Sequence, residues 1–221
     1  SAHEWFLRLS HAQTSDVLLG KANYYLGLIH AQGCDEANIT ADARVAFEYF
    51  EKSAHQNTPE SQYETGLMLV EGRGTERNLQ EGLTWIGKAA ERNYAPACDF
   101  CAKAFEQGSF GVPKDMDKAI EYYSLNAEKD PYAQYHLGIY YMYSAPQDKR
   151  DAPKAITFFR KAAEQKYVIA QYQLGLCLLK GLGVEKDLME AKLWLHRAAD
   201  QNYEPAQDEL AALAPKSCLI Q

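Results

Sequence analysis

AQYQLGLCLLKGLGVEKDLMEAKLWLHRAA, residues 170–199, holds two helical half-patterns joined by glycines. Its second half sets Ala191 beside Trp194, Leu195, Ala198 and Ala199. Residues 3, 4, 7 and 8 apart share one face of an α-helix, so this spacing makes a single apolar stripe. The segment recurs along the chain. Its opening is echoed at Ala22 (ANYYLG), Ser61 (SQYETG), Ala97 (ACDFCA), Ala133 (AQYHLG) and Ala206 (AQDELA), giving starts 39, 36, 36, 37 and 36 residues apart. The second half is echoed at Ala155 with Phe158, Phe159, Ala162 and Ala163. A repeat of this length reads as one supersecondary unit, here helix A followed by helix B.

The boundary chemistry recurs in register. Four residues before each helix-B anchor stands Asp42, Asn78, Asp115, Asp151 or Asp187, short side chains able to accept from the orphan N–H groups of a first turn. Between A and B lie Gly72 and Gly74, Gly108 and Gly111, and Gly181 and Gly183; the fourth repeat departs with Ser144-Ala145-Pro146. Asn93, Lys166 and Asn202 follow helix B where a left-handed residue ends a helix, and Pro96 and Pro205 suit the first turn of the next. Gly27, Gly66, Gly138 and Gly175 in helix A, with Ala90, Ala163 and Ala199 in helix B, leave room for close approach, while Trp85, Phe159 and Trp194 fill space.

These residues resemble the Sel-1-like repeat family, relatives of the tetratricopeptide repeat, whose pattern is roughly A-x-x-x-L-G-x-x-Y-x-x-G-x-G-V, an Asp, then K-A-x-x-W-Y and A-A. The resemblance covers residues 22 to 213 and is poorest in the third repeat, where Cys101 and Ala102 replace Leu and Gly. It implies an all-α, right-handed α/α superhelix or solenoid and a scaffold or adaptor role. Such proteins are common in bacteria and also occur in eukaryotic degradation and signalling complexes. The expected organisation is one solenoid domain over 1–221: 1–21 as the second half of a repeat or a cap, repeats at 22–60, 61–96, 97–132, 133–169 and 170–205, and a capping helix and tail at 206–221.

In tetratricopeptide solenoids the A helices line the concave face. Aligned on the L-G pairs, the third A-helix position reads Tyr24, Tyr63, Asp99, Tyr135, Tyr172 and Asp208, and the eleventh reads Gln32, Glu71, Gln107, Tyr143 and Lys180. A tyrosine ladder is a good protein-binding surface, since each ring offers large apolar area and a hydroxyl. The alternative is that the tyrosines pack between adjacent repeats and the eleventh residues are ordinary solvated helix ends.

Other chemistry finds little support. A net charge of −7, from 23 Lys+Arg against 30 Asp+Glu and without a long basic run, disfavours nucleic acid. No apolar stretch approaches the roughly 20 residues of a membrane span. Five cysteines at irregular spacing do not make a disulfide framework and favour a reducing compartment; a periplasmic or secreted location stays open had a signal peptide been removed. Cys98-x-x-Cys101 falls inside helix A with no second pair, so core packing is expected rather than a metal site. His30 takes a position filled elsewhere by Leu69, Phe105, Tyr141 and Leu178 and is expected in the core. Asn38-Ile39-Thr40 matches a glycosylation sequon and reads as coincidence. No nucleophile or phosphate-loop motif stands out, so neither catalytic residues nor a cofactor are expected; the partner is a protein or peptide, and the oligomeric state is not read from the sequence. Glycan or cell-envelope binding in the periplasm is the second reading, and a β-lactamase-like hydrolase the third.

Overall fold

The structure, a computed structural model, describes residues 2–10 and 15–214. Among these residues it has twelve α-helices and no strand beyond one isolated bridge between Cys34 and Ile39. The fold is all-α, of the solenoid class built from helix pairs. Two compact units are formed, residues 1–125 and 126–221.

In the first unit α1 (Ala2–Ser10) packs on α2 (Asp16–Gln32), which pairs with α3 (Ala43–His55). Helices α4 (Pro59–Glu71) and α5 (Leu79–Glu91) form the next pair, and α6 (Ala95–Gln107) faces α7 (Met116–Asn126) through Phe105 stacked on Tyr122. The second unit pairs α8 (Pro131–Ile139) with α9 (Ala152–Glu164), and α10 (Val168–Lys180) with α11 (Leu188–Ala199), before α12 (Glu204–Leu213). Helix α1 follows the helix-B pattern but buries no residue, and Trp5 is 56% exposed.

The caps work as the sequence implies. Asp42 accepts from the N–H groups of Arg44 and Val45, Asn78 from Glu81, Asp115 from Lys118, Asp151 from Lys154 and Asp187 from Glu190. The N–H of each of these five residues also donates back to helix A, to the carbonyls of His30, Leu69, Phe105, Tyr141 and Leu178 in turn. One short side chain thus starts helix B while its backbone ties that start to helix A. At the far end of B, Asn57, Asn93, Lys166 and Asn202 turn the chain with φ between 58° and 65°.

A glutamine one residue before three of the four ladder tyrosines adds a tie between repeats. The side-chain amide of Gln62 donates to the carbonyl of Ala54, Gln134 to Ala127, and Gln171 to Ala163. In the third repeat the Cys98 thiol takes that place, donating to Ala90 at 3.5 Å.

Close approach is tightest between α4 and α5. A Cβ on Gly66 would lie 2.7 Å from the Gly82 carbonyl oxygen, and one on Gly82 would lie 2.7 Å from the Gly66 oxygen. In the pairs α2/α3 and α8/α9 the small residue receives a ring instead: a Cβ on Gly27 or Gly138 would sit 2.5 Å from Phe50 or Phe159. The fourth repeat, lacking a glycine between A and B, ends helix A differently. Residues Tyr140–Ser144 widen into a π turn in which the Ala145 N–H donates to the Tyr140 carbonyl at 2.8 Å, meeting by a wider ring the need that left-handed Gly72, Gly108 and Gly181 meet elsewhere.

Candidate functional site

The ladder tyrosines Tyr24, Tyr63, Tyr135 and Tyr172 are all half-buried and join the hydrophobic clusters of their own units. Three meet a second tyrosine that sequence reasoning missed. Tyr63 faces Tyr94 with ring centroids 5.6 Å apart, Tyr135 faces Tyr167 at 5.6 Å, and Tyr172 faces Tyr203 at 5.3 Å, with interplanar angles of 62°, 56° and 61°. These are the edge-on and tilted arrangements that aromatic quadrupoles prefer. Tyr94, Tyr167 and Tyr203 are the residues that open helices α6, α10 and α12. The signal was present in the sequence: each follows directly on a left-handed residue, in the dipeptides Asn93-Tyr94, Lys166-Tyr167 and Asn202-Tyr203.

Asp99 replaces tyrosine in the third repeat and pairs with Lys103 at 2.7 Å on its own helix. Asp208 on α12 is exposed. The eleventh-position residues Gln32, Glu71, Gln107, Tyr143 and Lys180 are all exposed, so the accessible side chain at this position changes from each repeat to the next. Tyr143 lies in the π turn and is held there by the Gln173 amide, which donates to its hydroxyl at 2.7 Å.

Burial raises the hydroxyl pKa of Tyr24, Tyr63, Tyr143 and Tyr172, and pushes Tyr167 up to about 12, with Tyr132 and Tyr135 adding to the effect. These phenols therefore stay protonated at physiological pH and remain donors. Burial also raises the carboxyl of Glu64, next to Tyr63.

Cys98, Cys101 and Cys177 are buried free thiols; desolvation lifts Cys101 to about 12 and Cys177 to about 11, which suits packing and not nucleophilic or redox work. Among the described residues no group of three or more His, Cys, Asp or Glu side chains could hold a metal ion, and no helix is long and apolar enough to cross a membrane. His30 corrects its expectation. It is half-buried, stacked on Tyr49 at 5.5 Å and edge-on to His3 at 5.6 Å. The equivalent Leu69 and Leu178 are buried, but the rings of Phe105 and Tyr141 are half-buried like His30, so this position buries a leucine and covers a larger ring only in part.

Five consecutive segments, residues 20–58, 59–94, 95–130, 131–167 and 168–203, match the Sel1 repeat family. The chain belongs to that family. It is 32% identical over 177 residues to rat DAP3-binding cell death enhancer 1, covering 79% of this chain and 34% of that protein. It is 28% identical over 186 residues to the chitin synthase regulator SKT5 of Malassezia restricta, covering 81% of this chain and 13% of that one. The chain thus spans about a third of the length of the first of these curated relatives and 13% of the second. Among solved structures it superposes on a Sel1 repeat protein from Oxalobacter formigenes with a TM-score of 0.74 and 29% identity, over 96% of this chain and 57% of the other. A protective antigen of uropathogenic Escherichia coli with an SLR fold gives 0.79 and 25%, over 96% and 45%. Eukaryotic and bacterial proteins are both represented, and these curated relatives are named as binding or regulatory proteins.

Proposed function

We propose that this chain is a non-catalytic scaffold that holds a protein or peptide against the tyrosine-bearing faces of its A helices. The observation that carries the reading is the division of labour along each helix A. One position is kept as a half-buried tyrosine in four repeats, while the terminal position is exposed and changes from repeat to repeat, as Gln32, Glu71, Gln107, Tyr143 and Lys180. A constant aromatic platform with a variable polar rim is the anatomy of a selective interface. The names of the relatives support a regulatory binding role, and the acidic net charge of −7 favours a protein over a nucleic acid.

The test is quantitative. A partner is co-purified from the source organism, identified, and titrated calorimetrically against the wild-type chain and against Glu71→Ala, Gln107→Ala and Lys180→Ala. Controls carry Arg44→Ala and Met189→Ala, both exposed on B helices. Affinity lost at least tenfold in a helix-A variant and unchanged in both controls supports the scaffold face. Loss confined to the controls overturns it.

A further inference from the structure

Repeats one and four are near-copies in their packing. Tyr24 lies 6.0 Å from Phe50 at 47°, and Tyr135 lies 6.0 Å from Phe159 at 44°. The glycine beneath each ring is in the same register, with a notional Cβ on Gly27 or Gly138 at 2.5 Å and 2.6 Å from the two nearest phenyl carbons. The turn that follows helix B is also shared. Asn57 has φ 62° and Lys166 65°, and the next residue, Thr58 or Tyr167, has φ −80° and ψ 113° or φ −69° and ψ 109°. Tyr94 and Tyr203 adopt the same backbone, at φ −72° and ψ 111° and at φ −83° and ψ 99°.

Two side chains differ. Tyr24 is flanked on its own helix by Tyr25, with rings 5.5 Å apart and tilted by 58°, where Tyr135 is flanked by His136. Where three repeats direct a tyrosine onto the ladder ring, the first directs Thr58. Gly20, in the register of Pro59, Pro131 and Val168, lets Thr58 come close: Thr58 Oγ1 would lie 2.5 Å from a Cβ placed there. The space left open is a cavity of about 270 Å³ lined by Val17, Tyr24, Tyr25 and Thr58 together with Lys21 and Glu60. Cavities on the order of 150 Å³ already accommodate a benzene ring, so this one is large enough for a phenol. Val17 is 67% and Tyr25 46% exposed, so apolar surface continues from the cavity outward. Lys21 and Glu60 offer a donor and an acceptor to a hydroxyl, the polar handle that separates tyrosine from phenylalanine.

We propose that this cavity is the receiving site for a tyrosine side chain of the bound partner, which takes in trans the place that Tyr94, Tyr167 and Tyr203 take in three other repeats. The inference rests on the scaffold reading above and names one anchor within it. The protein's own Tyr135–Tyr167 pair is the template for the bound geometry, with rings 5.6 Å apart and tilted by 56°.

The test uses p-cresol, the tyrosine side chain as a free molecule, titrated into the isotopically labelled full chain and followed by NMR. Saturable shifts confined to amides of residues 17–25 and 56–60 are expected, with 4-methylcyclohexanol binding at least fivefold more weakly because it lacks the ring quadrupole. Thr58→Tyr installs the residue of the other repeats and should weaken cresol binding at least tenfold at unchanged helicity. Tyr24→Leu, which keeps apolar bulk, should weaken it as well and serves if Thr58→Tyr does not fold. Equal cresol binding to wild type and variants, or none to the wild type, overturns the proposal. Against the co-purified partner, Thr58→Tyr should cost at least tenfold in affinity. A partner that loses affinity on Lys180→Ala but not on Thr58→Tyr leaves the scaffold face standing and removes this anchor; loss confined to the B-helix controls removes the face and the anchor with it.

Discussion

Two glycines of the second repeat should respond oppositely to alanine. Gly66 sits inside α4, where a new Cβ would lie 2.5 Å from Ile86 Cγ1, 2.7 Å from the Gly82 carbonyl oxygen and 3.1 Å from the Ile86 nitrogen. Two of these three neighbours are backbone, so relief requires α4 and α5 to separate. Overpacking of this kind costs about 1–3 kcal/mol, and the rigid neighbours place Gly66→Ala toward the upper end. Alanine in a helix interior returns about 1 kcal/mol relative to glycine. The net is a loss of about 2 kcal/mol. Gly87, inside α5, has nothing within 4 Å of a notional Cβ, so Gly87→Ala should gain about 1 kcal/mol with no opposing penalty. The two variants should therefore differ by about 3 kcal/mol, by the same arithmetic. Urea denaturation monitored by circular dichroism, with hydrogen exchange on the α4 and α5 amides to localise the change, measures both. If Gly66→Ala matches or exceeds the wild type, the close α4–α5 crossing is refuted.

Further outcomes follow from the same geometry. Arg160 donates to Glu190, which also accepts from the Trp194 indole N–H at 3.1 Å, and these bonds hold the Glu190 carboxyl below its usual range. A depressed folded pKa gives stability that is present above the unfolded value of 4.5 and is lost as pH falls through the folded one. The ion pair is one-third exposed, so the contribution is no more than about 1 kcal/mol, and Glu190→Gln should flatten the acid limb of a stability–pH curve by that amount. Cys101 and Cys177 stay as thiols up to about pH 12 and 11, so stability should fall as pH rises from 9 through that window, where the unfolded chain ionises and the native one does not. At pH 8, iodoacetamide followed by peptide mapping should label half-buried Cys34 ahead of buried Cys98, Cys101 and Cys177; equal labelling would contradict their packing. Lys166 adopts φ 65° where Asn57, Asn93 and Asn202 make the same turn, so Lys166→Asn should stabilise by up to about 1 kcal/mol in thermal unfolding, and a loss would contradict the shared turn.

The fold was legible because its determinants are local and repeated. Asp42, Asn78, Asp115, Asp151 and Asp187 each act within their own turn, and the residues they cap stand at fixed offsets. What escaped the sequence depends on side chains brought together across a turn. Tyr94, Tyr167 and Tyr203 lie outside both helical stripes and meet the ladder only through the left-handed turn before them, and Thr58 has meaning only against those three. The reciprocal contact of Gly66 and Gly82 joins two helices whose crossing no single-helix pattern specifies. The π turn at Tyr140–Ser144 follows from a missing glycine, and its form could not be read from Ser144-Ala145-Pro146. His30 shows the converse limit, since a register shared with buried leucines does not fix burial: Phe105 and Tyr141 in that register are half-buried too.

The central claim is that the A-helix faces carry the partner, and site-specific photo-crosslinking in cells of the source organism tests it most directly. A benzophenone amino acid is placed singly at positions 71, 107 and 180 on A helices and at 81, 161 and 189 on B helices, all exposed. Crosslinks to one identified protein from the A-helix positions, with none from the B-helix positions, are the predicted result; crosslinks to that protein from the B-helix positions alone would contradict it.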